Sequence, residues 1–230
     1  MKHCIILHLY YLDLWTEFKE KLQPLLNNIN VDLYVTVTNS DDIIIDDIRN
    51  TVTDLFIVEN RGADIAPFIY VYNKIKHLGY TTYLKIHGKK SVHTPGVGDW
   101  WRQESYFGII ENYDYILEQV VNILEPFMLG AGMYYHDMYR EPTDHINRLN
   151  NIEFINKAAQ ILKISNTGAF FAGTMWLVNS TYLTILFKDI DLDILYNQFE
   201  LGHISNSLAH GMERVLGYGI QHYNGQYIKI

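Results

Sequence analysis

Cysteine is nearly absent from this 230-residue chain: Cys4 stands alone, so no intrachain disulfide can form. Lying in the apolar run CIILHLY, Cys4 reads as a buried core thiol, and the missing disulfide framework fits a cytoplasmic protein. Long apolar runs are missing too. None reaches the roughly 18 residues of a bilayer-spanning helix. Cys4–Leu12 is too short for a signal peptide, is interrupted by His8, and reads as a first strand. Peripheral contact with the inner face of a membrane stays compatible with this. Nor is there an excess of positive charge. A formal net charge of −8 without a basic stripe excludes a general nucleic-acid binder, but not a ligand that needs one local cationic pocket.

Several motifs are also absent. There is no H-E-x-x-H and no closely spaced Cys/His pairing, so no metal motif is found, although a divalent ion is compatible with the chain. Without G-x-S-x-G or G-x-x-x-x-G-K-[ST], α/β-hydrolase and P-loop readings fall away. No G-x-G-x-x-G follows the first strand, which disfavours dinucleotide binding. No internal repeat or low-complexity linker divides the chain, so residues 1–230 read as one domain.

What is present is a strand–helix alternation. Strands are expected at His3–Tyr10, Asp32–Thr38, Asp54–Glu59 and Tyr83–His87. A helix over Leu14–Leu26 carries Leu14, Phe18, Leu22 and Leu25 on one stripe, and another runs from Asp64–Pro67 to His77, stopped by Gly79. Asp41–Asn50 offers a short acidic helix or loop. This order predicts a doubly wound, mostly parallel α/β sheet. Beyond Ser91 the reading is a loop leading into a helix near Arg102–Phe107, then a helix over Tyr113–Leu124 and a strand over Met128–Tyr134. Ile152–Leu162 reads as helix, Ala169–Val178 as an apolar segment that should be buried, Ser207–Leu216 as helix and Gln221–Ile230 as a terminal strand or strand pair. Eighteen tyrosines and four tryptophans supply flat surface for stacking on sugars, or reflect compositional drift alongside the abundant Asn and Ile.

The densest chemical signal is YLKIHGKKS. Strand alternation sends Lys85, His87 and, where the strand runs on, Lys89 to one face, while Lys90 and Ser91 fall at or just past the strand's C-terminal end. Ligands of open α/β sheets bind at that edge. The functional reading is a metal-free clamp on a pyrophosphate; the plainer one is a solvated edge with guarding lysines. Asn60-Arg61-Gly62 and Asp64 follow a strand and precede a helix. There Asp64 either caps the helix or, with Asn60, hydrogen-bonds a base or ribose while Arg61 meets phosphate. Near the C-terminus, LAHGMER puts His210, Glu213 and Arg214 on one helical face or its flank. Glu213, or in its place Asp64, is a candidate general base; for Glu213 the expectation has His210 sharing the proton and Arg214 orienting the carboxylate, or Glu213 and Arg214 form a surface pair. The pairs Asp41-Asp42, Asp46-Asp47 and Asp191-x-Asp193 read as caps or solvated turns.

Taken in order, HLYYLDLW, DLYVTVT, VENRGADIAPF, YLKIHGKKS with the later WWR, FFAGTMW and LAHGMER resemble the rhamnan synthesis protein F family of glycosyltransferase-like proteins over nearly the whole chain. The resemblance implies a GT-A-like nucleotide-sugar-binding fold, with residues 1–91 as the nucleotide-binding half and 92–230 as the acceptor and catalytic half. It implies transfer of a sugar, often a deoxyhexose such as rhamnose, from a nucleotide-sugar donor to a glycan or lipid-linked glycan acceptor, in company with membrane-associated assembly enzymes. No further cofactor is required. Asn60, Arg61, Gly62 and Asp64 then resemble donor-site residues, and Lys85, His87, Lys89, Lys90 and Ser91 the diphosphate block. Trp101 and Arg102 match the WR pair as acceptor or loop contacts, and Gly173 and Thr174 a substrate floor. His210, Glu213 and Arg214 match the C-terminal motif. One departure stands out: Ser205-Asn206-Ser207 replaces an Asp-Gly-Thr-like triplet. That departure leaves open a catalytically silent binding module, and a nucleotide hydrolase is a third reading.

Overall fold

The computed structural model describes residues 1–40, 43–90, 96–138, 145–202 and 204–230. The elements run β1 His3–His8, α1 Trp15–Leu26, β2 Val31–Val37, α2 Ile44–Thr51, β3 Asp54–Ile57, α3 Ile65–Ile75 and β4 Thr82–His87. Then come α4 Val97–Arg102, α5 Gly108–Glu111, α6 Tyr113–Val120, β5 Phe127–Gly130, β6 Tyr135–Asp137 and α7 His145–Leu162. The chain ends with β7 Ala169–Phe171, β8 Trp176–Asn179, α8 Ser180–Leu186, α9 Leu192–Asn197, α10 Leu208–His222 and β9 Gln226–Lys229.

Among the described residues seven strands form one sheet in the order β3-β2-β1-β4-β8-β5-β9, and β6 pairs with β7 in a small second sheet. β8 runs antiparallel to both neighbours, whereas the other pairings of the large sheet are parallel. The fold is therefore α/β with a mixed, mostly parallel sheet. β1 is buried along its whole length because both faces are covered. Its alternation assigns Cys4 and Ile6 to one core, with α3, α7 and α10, and Ile5 and Leu7 to the other, with α1 and α6. As expected, Cys4 is a buried thiol, and Leu14, Phe18, Leu22 and Leu25 are buried together.

Some expected boundaries move. α4 starts at Val97 and already contains Trp100, Trp101 and Arg102, with Gly96 before it at φ 81°. The apolar run Ala169–Val178 is largely buried, as expected, and forms two strands, β7 and β8, separated by a tight turn at Gly173-Thr174. Helices α8 and α9 have no counterpart in the sequence reading; Asp191 caps α9 by accepting from the Asp193 and Ile194 N–H groups. Asp41 and Asp42 lie outside the described residues.

Two consequences position the site. From β1 the chain builds outward to β2 and β3 on one side, then crosses to place β4 on the other. The crevice at the C-terminal ends of β1 and β4 is thus a topological switch point, where ligands of such sheets bind. Because β8 runs against β4 with Trp176 opposite Lys85, the turn just before β8 reaches the same crevice.

Candidate functional site

His8 and His87 are register partners at the ends of β1 and β4. Two residues before His87, Lys85 is only 1% exposed. Its ammonium meets the Asp64 carboxylate, the Thr174 carbonyl at 2.9 Å and the Thr174 hydroxyl at 3.0 Å, an acceptor for each of its three protons. The Thr174 hydroxyl in turn donates to Asp64. Asp64 occupies the N-cap position of α3 yet makes no capping bond, because its carboxylate is committed to Lys85 and Thr174.

Two left-handed turns bracket this knot. Gly62 and Ala63 have φ 57° and 51°, and Gly173 and Thr174 have φ 85° and 57°. A β-branched residue such as Thr174 at positive φ costs about 1–3 kcal/mol and persists only when its surroundings enforce it. Here the enforcement is visible. The Gly173 carbonyl accepts from His87 Nε2 at 2.9 Å, and the Gly173 N–H donates to Glu213 Oε1 at 2.7 Å. A Cβ at Gly173 would lie 2.8 Å from Trp101 Nε1, so the indole packs directly on the turn.

Glu213 projects from α10 and is partly buried, with Arg214 Nη1 3.6 Å from its Oε2. Arg214 Nη1 also donates to the His210 carbonyl at 3.0 Å, and its guanidinium lies 5.2 Å above Phe170. His210 Nδ1 is 3.0 Å from the hydroxyl of Ser207, the N-cap residue of α10. A shallow hollow of about 10 Å³ opens beside the Gly62 turn, lined by Gly62, Ala63, Glu200, Gly202, Ile204 and Ser207.

Burial dominates the electrostatics. It pushes the Asp64 carboxyl up, but the charges of His87 and Lys85 and the hydrogen bonds from Lys85 and Thr174 more than reverse this, holding it well below the usual range. Burial also pulls the Lys85 ammonium below the ordinary lysine value, with Asp64 opposing. His8 is pushed down to about 3 and His87 to about 4, both chiefly by burial, so both imidazoles are neutral at neutral pH. Among the described residues no three His, Cys, Asp or Glu side chains converge on a metal position.

The residues read from the sequence meet in part. Asp64, Lys85, His87, Gly173, Thr174 and Glu213 form one connected network. The open lysine clamp does not appear in the form expected. Lys85 is enclosed, and Lys90 is paired with Asp13. Lys89 is the lysine of the block with no carboxylate partner among the described residues; its ammonium lies 4.4 Å from the centre of the Trp101 ring. Ser91 lies outside the described residues. Arg61 turns away, binding the Phe199 carbonyl at 2.6 Å and Glu59 at 3.0 Å, so it holds the α9–α10 connection. Asn60 contributes its carbonyl to Gly202 N–H at 2.7 Å. Arg102 is 3% exposed and clasps Glu17, Asp99 and the Lys89 carbonyl. Trp101 is covered on its ring by Tyr134, stacked at 4.6 Å, and by Lys89. His8, buried at the end of β1 opposite His87, also belongs to the crevice, and a histidine within the apolar run CIILHLY is its signal in the sequence.

A family profile described as rhamnan synthesis protein F matches residues 1–224. Among curated proteins, two described as uncharacterized protein WxcX, from two strains of Xanthomonas campestris pv. campestris, are 30% and 29% identical over 95% of this chain. The chain spans 31% of the length of these relatives. Among solved structures, a candidate nucleotide-diphospho-sugar transferase from Desulfovibrio desulfuricans G20 aligns with 58% of this chain and 61% of its own, at 12% identity. The TM-score of that alignment is 0.36.

Proposed function

Because the chain belongs to the rhamnan synthesis protein F family, we propose that it is a GT-A-like glycosyltransferase of bacterial cell-surface polysaccharide synthesis. It moves a sugar, with rhamnose or another deoxyhexose as the favoured group, from a nucleotide-sugar donor to a glycan acceptor at the cytoplasmic side of the membrane. Among the described residues no helix is long and apolar enough to cross a membrane. The observation that carries this reading is the buried Lys85–Asp64–Thr174 knot at the switch point, joined through Gly173 to Glu213.

In this reading the donor diphosphate lies over the ends of β1 and β4, where Lys89 is the available cation and the Gly62-Ala63 turn lets the main chain approach. Asp64, held ionised, is a poor proton acceptor near neutral pH and serves as an anchor. Glu213 is the base: the Gly173 N–H fixes Oε1, and Oε2, with Arg214 Nη1 3.6 Å away, takes the proton. In a single displacement the acceptor oxygen attacks the anomeric carbon and its proton passes to Glu213. The bond to the nucleoside diphosphate breaks, its electron pair leaves with the phosphate, and Lys89 stabilises that charge. The 1–91 half supplies most of the donor side and the 92–230 half the acceptor side.

The test is isothermal titration with nucleoside diphosphates, followed by turnover of a nucleotide-sugar panel with and without an oligosaccharide. Lys89→Ala is expected to weaken diphosphate binding at least tenfold, about 1.4 kcal/mol. Glu213→Gln is expected to lower transfer by about 10²–10⁴ while leaving donor affinity intact. Failure to bind any nucleoside diphosphate overturns the assignment, and acceptor-independent consumption would make the protein a hydrolase. Ser205-Asn206-Ser207, which offers no carboxylate before α10, favours one second reading, a silent donor-binding module. Binding without transfer is its signature.

A further inference from the structure

Trp100 is 49% exposed, whereas Trp15 and Trp176 are each 1% exposed and Trp101 is enclosed by neighbours. Its indole has one ring partner among the described residues, Tyr134, at 6.3 Å and edge-on. No protein acceptor among them meets its indole N–H. A bare aromatic face with a polar edge, held on a helix, suits a ligand that is apolar on one side and hydroxylated around its rim. Next to it in α4, Asp99 is exposed and gives one carboxylate oxygen to Arg102 at 2.8 Å, leaving the other without a protein partner among the described residues. Arg102 is itself buried and clasped to Glu17, so α4 is fixed to the body of the protein rather than left mobile.

The platform is wired to the reaction site. Tyr134 touches Trp100 on one side and stacks on Trp101 at 4.6 Å; Trp101 packs on Gly173, whose N–H is held by Glu213. The platform is therefore two ring contacts beyond the turn that fixes the base. Trp101, with Tyr134 and Lys89 on its ring, is not the residue that presents a stacking face.

We propose that Trp100, with Asp99, forms a distal acceptor subsite that stacks a neutral pyranose ring of the glycan, one or more sugars away from the attacking hydroxyl. This rests on the glycosyltransferase reading for its position, but not for the binding itself. The test uses an α-linked rhamnose trisaccharide, titrated against the protein by intrinsic fluorescence and by transfer kinetics. The expected result is quenching on binding, a loss of affinity of tenfold or more in Trp100→Ala, and retention in Trp100→Phe. Donor affinity is unchanged, and acceptor KM rises with kcat nearly constant. Trisaccharide binding lost in Trp100→Ala in the absence of any transfer would uphold the subsite while the transferase reading fails. Equal trisaccharide affinity of wild type and Trp100→Ala, or no binding by wild type, overturns the subsite even where transfer occurs. A dimer dissolved by Trp100→Ala, with trisaccharide binding unaffected, overturns it in favour of a contact between copies.

Discussion

Lys85 is a charge taken almost wholly out of water, and the fold tolerates it because each ammonium proton has an oxygen and one of those oxygens carries the opposite charge. The arrangement is asymmetric in energy. Removing one partner strands the other in a low-dielectric interior, whereas removing both is close to neutral. Lys85→Met, which keeps the stem and deletes the charge, is therefore expected to cost about 3–5 kcal/mol in urea unfolding. Asp64→Leu combined with Lys85→Met should recover most of that loss. A single variant within about 1 kcal/mol of wild type would show that the pair is not buried together. Asn206 shows residue-level logic of another kind. At φ 54° it lies in the left-handed region, and asparagine is among the few side chains that enter this region readily.

At the scale of elements, the turn before α3 is shaped by Gly62. A Cβ there would sit 2.7 Å from Ala66 Cβ and from the Phe199 ring, at φ 57°. Gly79, which ends the helical turn after α3, has φ 76° but open space around its Cα. Gly79→Ala should thus cost only the backbone strain, about 1 kcal/mol, and Gly62→Ala at least another 1–2 kcal/mol for the collision. Paired thermal melts measure the difference, and equal losses would mean that α3 does not press on Phe199. The same elements show what local sequence can reveal. β1, β2, β4, α1 and α3 were readable to within a residue or two, because their apolar spacing is regular and Gly79 punctuates it. The Gly173-Thr174 turn was hidden: it interrupts an apolar run without proline or asparagine, and a threonine forced to positive φ leaves no propensity signal. The KIHGKKS charges were plain in the sequence, but their partners were not. Asp13, Asp64 and Thr174 lie 77, 21 and 89 residues away from the lysines they meet, and only the fold brings them there.

For the molecule as a whole, the crevice sets the response to acid. His8 and His87 titrate near 6.5 when unfolded, but at about 3 and about 4 in the fold. Between those limits the unfolded chain binds more protons, so stability rises with pH; it is fully present above about 6.5 and is lost as pH falls toward 4. Each unit costs up to about 1.4 kcal/mol per histidine. Asp64, depressed in the fold, adds a further loss below about pH 3.9. Urea midpoints should decline steadily from pH 6.5 to 4.5, with a shallower decline in His87→Gln, and a flat profile would contradict the burial of both rings. The reversed direction of β8 has one more consequence. It returns Thr174 to Lys85 and Asp64 across 89 and 110 residues of chain. During synthesis, which proceeds from the N-terminus at about 5–20 residues per second, the first half emerges with its ammonium–carboxylate pair lacking the threonine that completes it. Completion of the crevice is therefore coupled to translation: a polypeptide arrested before the Gly173-Thr174 turn and β8 holds the Lys85–Asp64 pair without Thr174 and without the Gly173–Glu213 contact.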